Sequence, residues 1–233
     1  MWRLTREGRT LQDAERLVHG ALDAGITLLD TADIYGWNGT GGFGDAEAML
    51  GRILAAEPSL RARMVVATKG GIHPPCPYDQ SADYLRAAID ASLKRLRTDV
   101  IDVWQVHRPD MLAHPAEVAR VLDDAVDAGK IRCLGVSNFT QAQTAALNHF
   151  LTHKLVTTQP ELSALRIDPL QNGEMDQAMM LGLTPLAWSP LGGGRLLKPA
   201  TEREQAVADA MAAQAAAKGV SITVAAYSWL MAH

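Results

Sequence analysis

Six apolar, β-branched runs in this chain end in residues that can do chemistry. The ends read Asp30-Thr31-Ala32-Asp33, Thr68-Lys69, Gln105-Val106-His107, Gly135-Val136-Ser137-Asn138, Thr158-Gln159 and Trp188-Ser189-Pro190. An ammonium close to a phenol favours phenolate, so Lys69 beside Tyr35 is expected to lower the tyrosine pKa and let it exchange a proton near neutrality. A carboxylate at Asp30 would hold Lys69 charged and oriented. An imidazole at His107 would aim a hydrogen bond at a carbonyl oxygen, where negative charge develops. Such a group protonates an alkoxide, and the hydride must come from a cofactor.

Taken singly, each residue has an ordinary explanation. Asp30 could cap the turn after its strand, and Lys69 could snorkel to solvent. His107 could be a satisfied core histidine, and Tyr35, in a Tyr-Gly turn, a packing aromatic. Ser137 and Asn138 could cap the following helix, and Trp188 could fill the core. All of these readings must hold together for the site to be absent. The ordering along successive runs is what argues against them.

The elements that must position these residues alternate along the chain. Leu11, Ala14, Leu17, Val18, Ala21 and Leu22 recur at helical spacing after a Thr10 N-cap and before Gly25. A strand over 26–32, a Gly-rich loop over 36–44 and a helix over 45–56 follow. The unit repeats as strand 64–69 with helix 82–96, strand 100–107 with helix 115–128, and strand 131–137 with helix 141–150. Strand 156–162, helix 169–181 and strand 184–189 come next, and helices over 202–217 and 222–231 end the series. Near-continuous apolar strands, each followed by an amphipathic helix, predict an α/β fold with a parallel sheet covered by helices. No Pro/Ser-rich linker interrupts the pattern, so a single domain over 1–233 is expected. The Rossmann glycine fingerprint is missing after the first strand, because Thr31-Ala32-Asp33-Ile34-Tyr35-Gly36 is no glycine turn onto a helix.

Composition narrows the class. The chain has 233 residues, 48% of them hydrophobic, and a formal net charge of −4, which suits a folded core and excludes disorder. Binding nucleic acid through bulk positive charge is not expected. Only two cysteines, Cys76 and Cys133, are present, too few for a disulfide framework. With no membrane-length apolar run and no signal peptide, the expected location is the cytoplasm.

At the strand ends the sequence resembles the aldo-keto reductase superfamily. The resemblance rests on Leu29-Asp30-Thr31-Ala32-Asp33-Ile34-Tyr35-Gly36, Val66-Ala67-Thr68-Lys69, Val106-His107-Arg108-Pro109, Gly135-Val136-Ser137-Asn138-Phe139 and Ala187-Trp188-Ser189-Pro190-Leu191-Gly192-Gly193-Gly194-Arg195-Leu196. Within the superfamily the chain is most similar to bacterial monomeric oxidoreductases with a His-Arg-Pro-Asp turn. The resemblance implies a (β/α)8 TIM barrel that reduces a small aldehyde or ketone with NADPH and needs no metal. The catalytic tetrad maps onto Asp30, Tyr35, Lys69 and His107, with Tyr35 as proton donor. Ser137, Asn138 and Gln159 match the residues that hold the nicotinamide carboxamide. Trp188 matches the aromatic that stacks on that ring. Ser189, Pro190, Leu191, Gly192, Gly194 and Arg195 match the loop around the pyrophosphate, where backbone amides can bind phosphate.

Against the family pattern the barrel is expected to be incomplete, with the first and eighth strands largely absent and Met1–Leu4 ending the first. The segment that reads the adenosine 2′-phosphate is expected to be missing, which leaves the choice of NADP over NAD without residues. Oligomeric state stays open. Two alternatives remain: a non-catalytic cofactor-binding form of the same fold, and a barrel enzyme using Lys69 as a Schiff-base lysine.

Overall fold

Capping residues set where the helices begin. In α1 (Leu11–Asp23) the Thr10 hydroxyl accepts from the Asp13 amide while the Asp13 carboxylate accepts from the Thr10 amide, a reciprocal cap. The Thr10 donors hold the Asp13 carboxyl below the usual carboxylate range. Ser81 and Ser221 cap α3 (Ala82–Leu96) and α8 (Ile222–Met231) one way only, each hydroxyl accepting from the amide of Tyr84 or Val224.

The computed structural model describes Thr5 and residues 9–232, so the expected strand end at Met1–Leu4 lies outside the described residues. The chain divides into two units, Met1–Ser137 with Ala142–Val156, and Asn138–Gln141 with Thr157–His233. The first unit holds β1 (Leu28–Asp30), α2 (Asp45–Ala56), β2 (Val65–Gly70), α3, β3 (Ile101–Val106), α4 (Pro115–Asp127) and β4 (Ile131–Ser137). Most of α5 (Gln141–Phe150) and the start of β5 (Leu155–Gln159) also belong to it.

Strands β1 to β4 lie side by side in chain order, all parallel. Asp30 pairs with Ala67, Lys69 with Gln105, and Gln105 with Gly135. That register brings the polar strand ends to one edge. The expected strand over 26–32 shortens to three residues, yet ladder bonds run on from Val65 N to Thr27 O, Thr31 N to Ala67 O and Asp33 N to Lys69 O. The chain therefore stays tied to β2 up to the turn that carries Tyr35.

Between strands and helices sit fully buried Leu50, Ile53, Leu85, Ile89, Ile101, Trp104, Leu122 and Leu134. Each buried aliphatic side chain of this size stabilises the fold by about 1.5–3 kcal/mol. Helices α2 and α3 approach so closely at Gly51 that a Cβ there would overlap the Arg95 carbonyl oxygen.

The second unit holds the end of β5, α6 (Glu174–Leu181), β6 (Thr184–Pro185), α7 (Glu202–Lys218) and α8. Leu165, Leu196 and Ala226 form its buried cluster, with Val207 and Leu191 packed against them. The helix expected over 169–181 begins later. A 3-10 turn at Asp168–Leu170 is followed by Gly173 at φ 87°, and only then by α6. Left-handed backbone at Gly173 breaks the helical path, and a Cβ there would meet the Gln141 side chain at 2.9 Å. The strands expected over 156–162 and 184–189 shorten to Leu155–Gln159 and Thr184–Pro185. Leu186 N to Thr158 O and Trp188 N to Pro160 O continue that pairing.

Candidate active site

Lys69 anchors the first group of residues. It sits on β2, is 0% exposed, and its Nζ donates to Asp30 Oδ2 at 2.6 Å and to the Thr31 carbonyl at 2.7 Å. A buried ammonium needs such partners, since desolvation without them would neutralise it. Asp30 keeps 28% of its side chain exposed. Gln105 Nε2 lies 3.3 Å from Asp30 Oδ1 and steadies its other oxygen.

Tyr35 follows in the turn after β1. Its amide donates to Ala32 O, and its carbonyl accepts from the Ala46 amide at the start of α2. The ring centroid is 5.0 Å from Lys69 Nζ, and the His107 ring meets it edge-on at 5.8 Å. His107 directly follows β3, and its amide donates to Gly70 O. The structure thus brings Asp30, Tyr35, Lys69 and His107 together, the four residues onto which the family resemblance maps a tetrad.

The electrostatics correct one expectation. Burial raises the Tyr35 pKa above its ordinary value, and although the Lys69 charge pulls it down, burial wins. Tyr35 is therefore held as a phenol at neutral pH, which suits a donor. Burial, then the charges of Lys69 and Arg108, push the His107 imidazole down to about 3. His107 is neutral at physiological pH, so its ring is a neutral hydrogen-bonding group rather than a cation.

Behind the tetrad, on the opposite face of β2, lies a cluster that sequence reasoning missed. Glu47 of α2 is 0% exposed and accepts from Thr68 Oγ1 at 2.5 Å and Arg95 Nε at 2.6 Å. Asp33, also fully buried, lies against Gly70 and Tyr84. The signal available was the two-residue period of a strand: Gln105 stands two before His107, and Thr68 and Gly70 flank Lys69. The partners on the helices carried no such signal.

In the second unit the structure gathers Asn138, Gln159 and Trp188. The Asn138 amide donates to the Gln159 carbonyl at 3.1 Å, and Trp188 Nε1 donates to Asn138 Oδ1 at 2.9 Å. That bond fixes the plane of a half-buried indole. Asn138 takes a left-handed φ of 61°, so it is no ordinary helix N-cap, and Ser189 has φ 53°. Ser137 ends β4 in the first unit and is buried.

Around Gly192–Gly194 the chain makes a 3-10 turn in which three amides donate to backbone carbonyls of the same segment. Gly192 N donates to Ser189 O, Gly194 N to Leu191 O and Arg195 N to Gly192 O. Arg195 does not project as a bare cation. Its Nε donates to Gly192 O at 2.7 Å, and Nη1 pairs with Glu204 at 3.2 Å. Pro190 precedes this turn.

A profile of the Aldo/keto reductase family matches residues 1–233. The chain belongs to that family. It is 74% identical over its whole length to the 6-dehydroglucose reductase of Novosphingobium aromaticivorans, of which it covers 77%. It is 35% identical to the 6-dehydroglucose reductase of Agrobacterium fabrum, covering 79% of that protein. Among solved structures it is similar to the glycerol dehydrogenase of Gluconobacter oxydans, with TM-score 0.80 and 30% identity over 94% of this chain and 72% of the other. The aldo/keto reductase is an oxidoreductase acting on carbonyl compounds, and its fold is the α/β, (β/α)8 type, incomplete, with six strands among the described residues.

Membership also bears on the Schiff-base alternative. A Schiff-base lysine must shed its proton to attack a carbonyl carbon. Lys69 Nζ donates to a carboxylate and a carbonyl at once, so the structure holds it as a hydrogen-bond donor rather than presenting it as a nucleophile. Among the described residues no group of His, Cys, Asp and Glu is arranged to hold a metal ion, and no helix is long and apolar enough to cross a membrane.

Proposed function

We propose that this aldo/keto reductase reduces an aldehyde to a primary alcohol with NADPH, and that Tyr35 gives the proton to the carbonyl oxygen. The observation that carries this reading is the phenol of Tyr35 set between a buried Lys69 ammonium and a neutral His107 imidazole. His107 donates a hydrogen bond to the carbonyl oxygen and fixes its position. As negative charge grows there, Tyr35 passes its proton on, and Lys69, held charged by Asp30, stabilises the phenolate left behind.

NADPH, when bound, supplies the hydride that goes to the carbonyl carbon. The second unit has groups that fit its nicotinamide: the amide side chains of Asn138 and Gln159 can read a carboxamide, with Ser137 beside them in sequence. The indole of Trp188, pinned through Nε1, offers a flat face for the ring. Ser189, Pro190, Leu191, Gly192, Gly194 and Arg195 are assigned to the pyrophosphate. The amides of Gly192 and Gly194 and the Arg195 side chain already hold partners, so any of these that turns to phosphate exchanges an existing hydrogen bond.

The substrate class follows the relative at 74% identity, which is named for 6-dehydroglucose, an aldehyde derived from a sugar. The two units are read as one reductase domain working in the cytoplasm on a small carbonyl compound, without nucleic acid or membrane partners. Tyr35→Phe tests the reading. Turnover of 6-dehydroglucose with NADPH falls by about 10²–10⁴-fold, while NADPH still quenches tryptophan fluorescence with unchanged affinity. Turnover above about a tenth of wild type would remove Tyr35 from the donor role.

A further inference from the structure

Asp33 stands three residues after Asp30 and two before Tyr35, and the mechanism above does not use it. Its amide donates to the Lys69 carbonyl at 2.9 Å, so its backbone links the Tyr35 turn to the catalytic lysine. The side chain is 0% exposed and short of donors. Oδ1 makes no hydrogen bond, and Oδ2 lies 3.5 Å from the Tyr84 hydroxyl and 3.1 Å from where a Cβ on Gly70 would sit. A buried carboxylate needs several donors to offset lost hydration, and this one has the Tyr84 hydroxyl and its neighbour Ile34's amide.

Tyr84 Oη has one proton and two acceptors within reach: Asp33 Oδ2, and the Ile72 carbonyl at 3.4 Å. If Asp33 carries a proton, both contacts are satisfied in one direction. The Asp33 O–H donates to Tyr84 Oη, and the Tyr84 O–H donates to Ile72. If Asp33 is ionised, Tyr84 must turn its only proton toward Asp33, and the Ile72 carbonyl loses its donor.

We propose that Asp33 is a positioning residue of the reductase site and works as a neutral carboxylic acid, its O–H starting a chain through Tyr84 to the Ile72 carbonyl. The chain holds the segment after Lys69 against the turn that carries Tyr35. This rests on the reading of Tyr35 and Lys69 as the groups that act on the carbonyl.

The charges around Asp33 agree. Burial, with the Glu47 charge from α2 adding and the Arg95 charge from α3 opposing, pushes its carboxyl up to about 8. Burial and the Asp33 charge raise the Tyr84 phenol above its ordinary value, so Tyr84 keeps its proton throughout. From β2 the group facing Asp33 is the Lys69 carbonyl, and from β3 the uncharged Trp104 packs at Gly70.

The test is direct. The infrared carbonyl stretch of a protonated carboxyl group is recorded at pH 7 for wild type and Asp33→Asn, and the difference spectrum is taken. The proposal expects a band present in wild type and lost in the variant. In turnover of glyceraldehyde with NADPH, Asp33→Asn, whose amide can still donate to Tyr84, keeps kcat within about twofold at pH 7. It also lacks the fall in kcat that wild type shows above about pH 8. Asp33→Ala loses roughly tenfold to a hundredfold in kcat, as expected when reacting groups shift slightly. Tyr84→Phe, which leaves Asp33 in place, gives a smaller loss in kcat than Asp33→Ala. An absent band, or an Asp33→Asn variant as impaired as Asp33→Ala, overturns the proposal. The band reads Asp33 whether or not an aldehyde is turned over, so this test and that of Tyr35 fail separately.

Discussion

The two faces of β2 each carry a cation–carboxylate pair, and they are built differently. On one face Lys69 is fully buried, while its partner Asp30 keeps 28% of its side chain open. On the other, Glu47 is 0% exposed and Arg95 is 22% exposed, with Thr68 and Ser92 completing the network. The first pair hides the cation and leaves the acid accessible, and a tyrosine ring and an imidazole stand beside it. The second hides the acid and ties α2 to α3 across the strand. Adjacent residues on one strand thus divide the work, because alternation sends Lys69 one way and Thr68 the other. On the proposed reading, one face does the chemistry and the other holds the strand that presents it.

The largest effect should fall on the reacting face. Lys69→Met replaces a buried charge with an apolar side chain of similar length, and Asp30 can take up water in compensation. Turnover drops by roughly 10²–10⁴-fold with little change in melting temperature. A variant that melts early instead would show Lys69 to be chiefly structural.

Breaking the rear pair should have the reverse signature. Arg95→Met strands the Glu47 carboxylate in the interior, and losing one partner of a buried pair costs about 3–5 kcal/mol. Denaturant unfolding reads that loss, while kcat per folded molecule stays near wild type. A fall in kcat with stability intact would erase the contrast between the faces.

A third prediction uses pH. The His107 pKa is lowered from 6.5 to about 3 in the folded chain. Above about pH 6.5 neither state holds the proton. As pH falls below 6.5 the unfolded chain takes it up while the folded chain does not, so stability is lost down to about pH 3. His107→Asn has no such proton, and between pH 6.5 and 5 it should lose roughly 2 kcal/mol less than wild type. Equal losses in both proteins would mean that His107 titrates normally.

Smallest is the effect expected at the indole. Trp188→Ala should weaken NADPH binding by several-fold, since aromatic stacking is worth about 0.5–1.5 kcal/mol, and leave unfolding almost unchanged. Lower stability with unaltered affinity would make Trp188 a packing residue.

Much of the proposed reacting face is legible in the sequence, because three of its four members end apolar runs and parallel strands bring such ends together. Asp30, Lys69 and His107 follow from that rule, and Tyr35 from the family motif it shares with Asp30. The rear face is not legible. Glu47 and Arg95 lie 48 positions apart on two helices, and either reads as an ordinary surface charge on its own. The direction of the Tyr35 shift was also out of reach, because burial outweighs the neighbouring ammonium and burial is a property of the folded chain. In the fold, the error at α6 has a local cause. Apolar spacing runs through Leu170 and Ala178, and only the left-handed backbone at Gly173 separates the short turn from the helix.

The most direct test of the account is transfer of label. NADPH deuterated at the transferable position of its nicotinamide is incubated with 6-dehydroglucose and the full chain, and the alcohol product is examined by NMR. The account predicts deuterium on the new carbinol carbon with wild type and almost none formed with Lys69→Met. Oxidation of the cofactor without label in the product, or equal labelling by Lys69→Met, would contradict it.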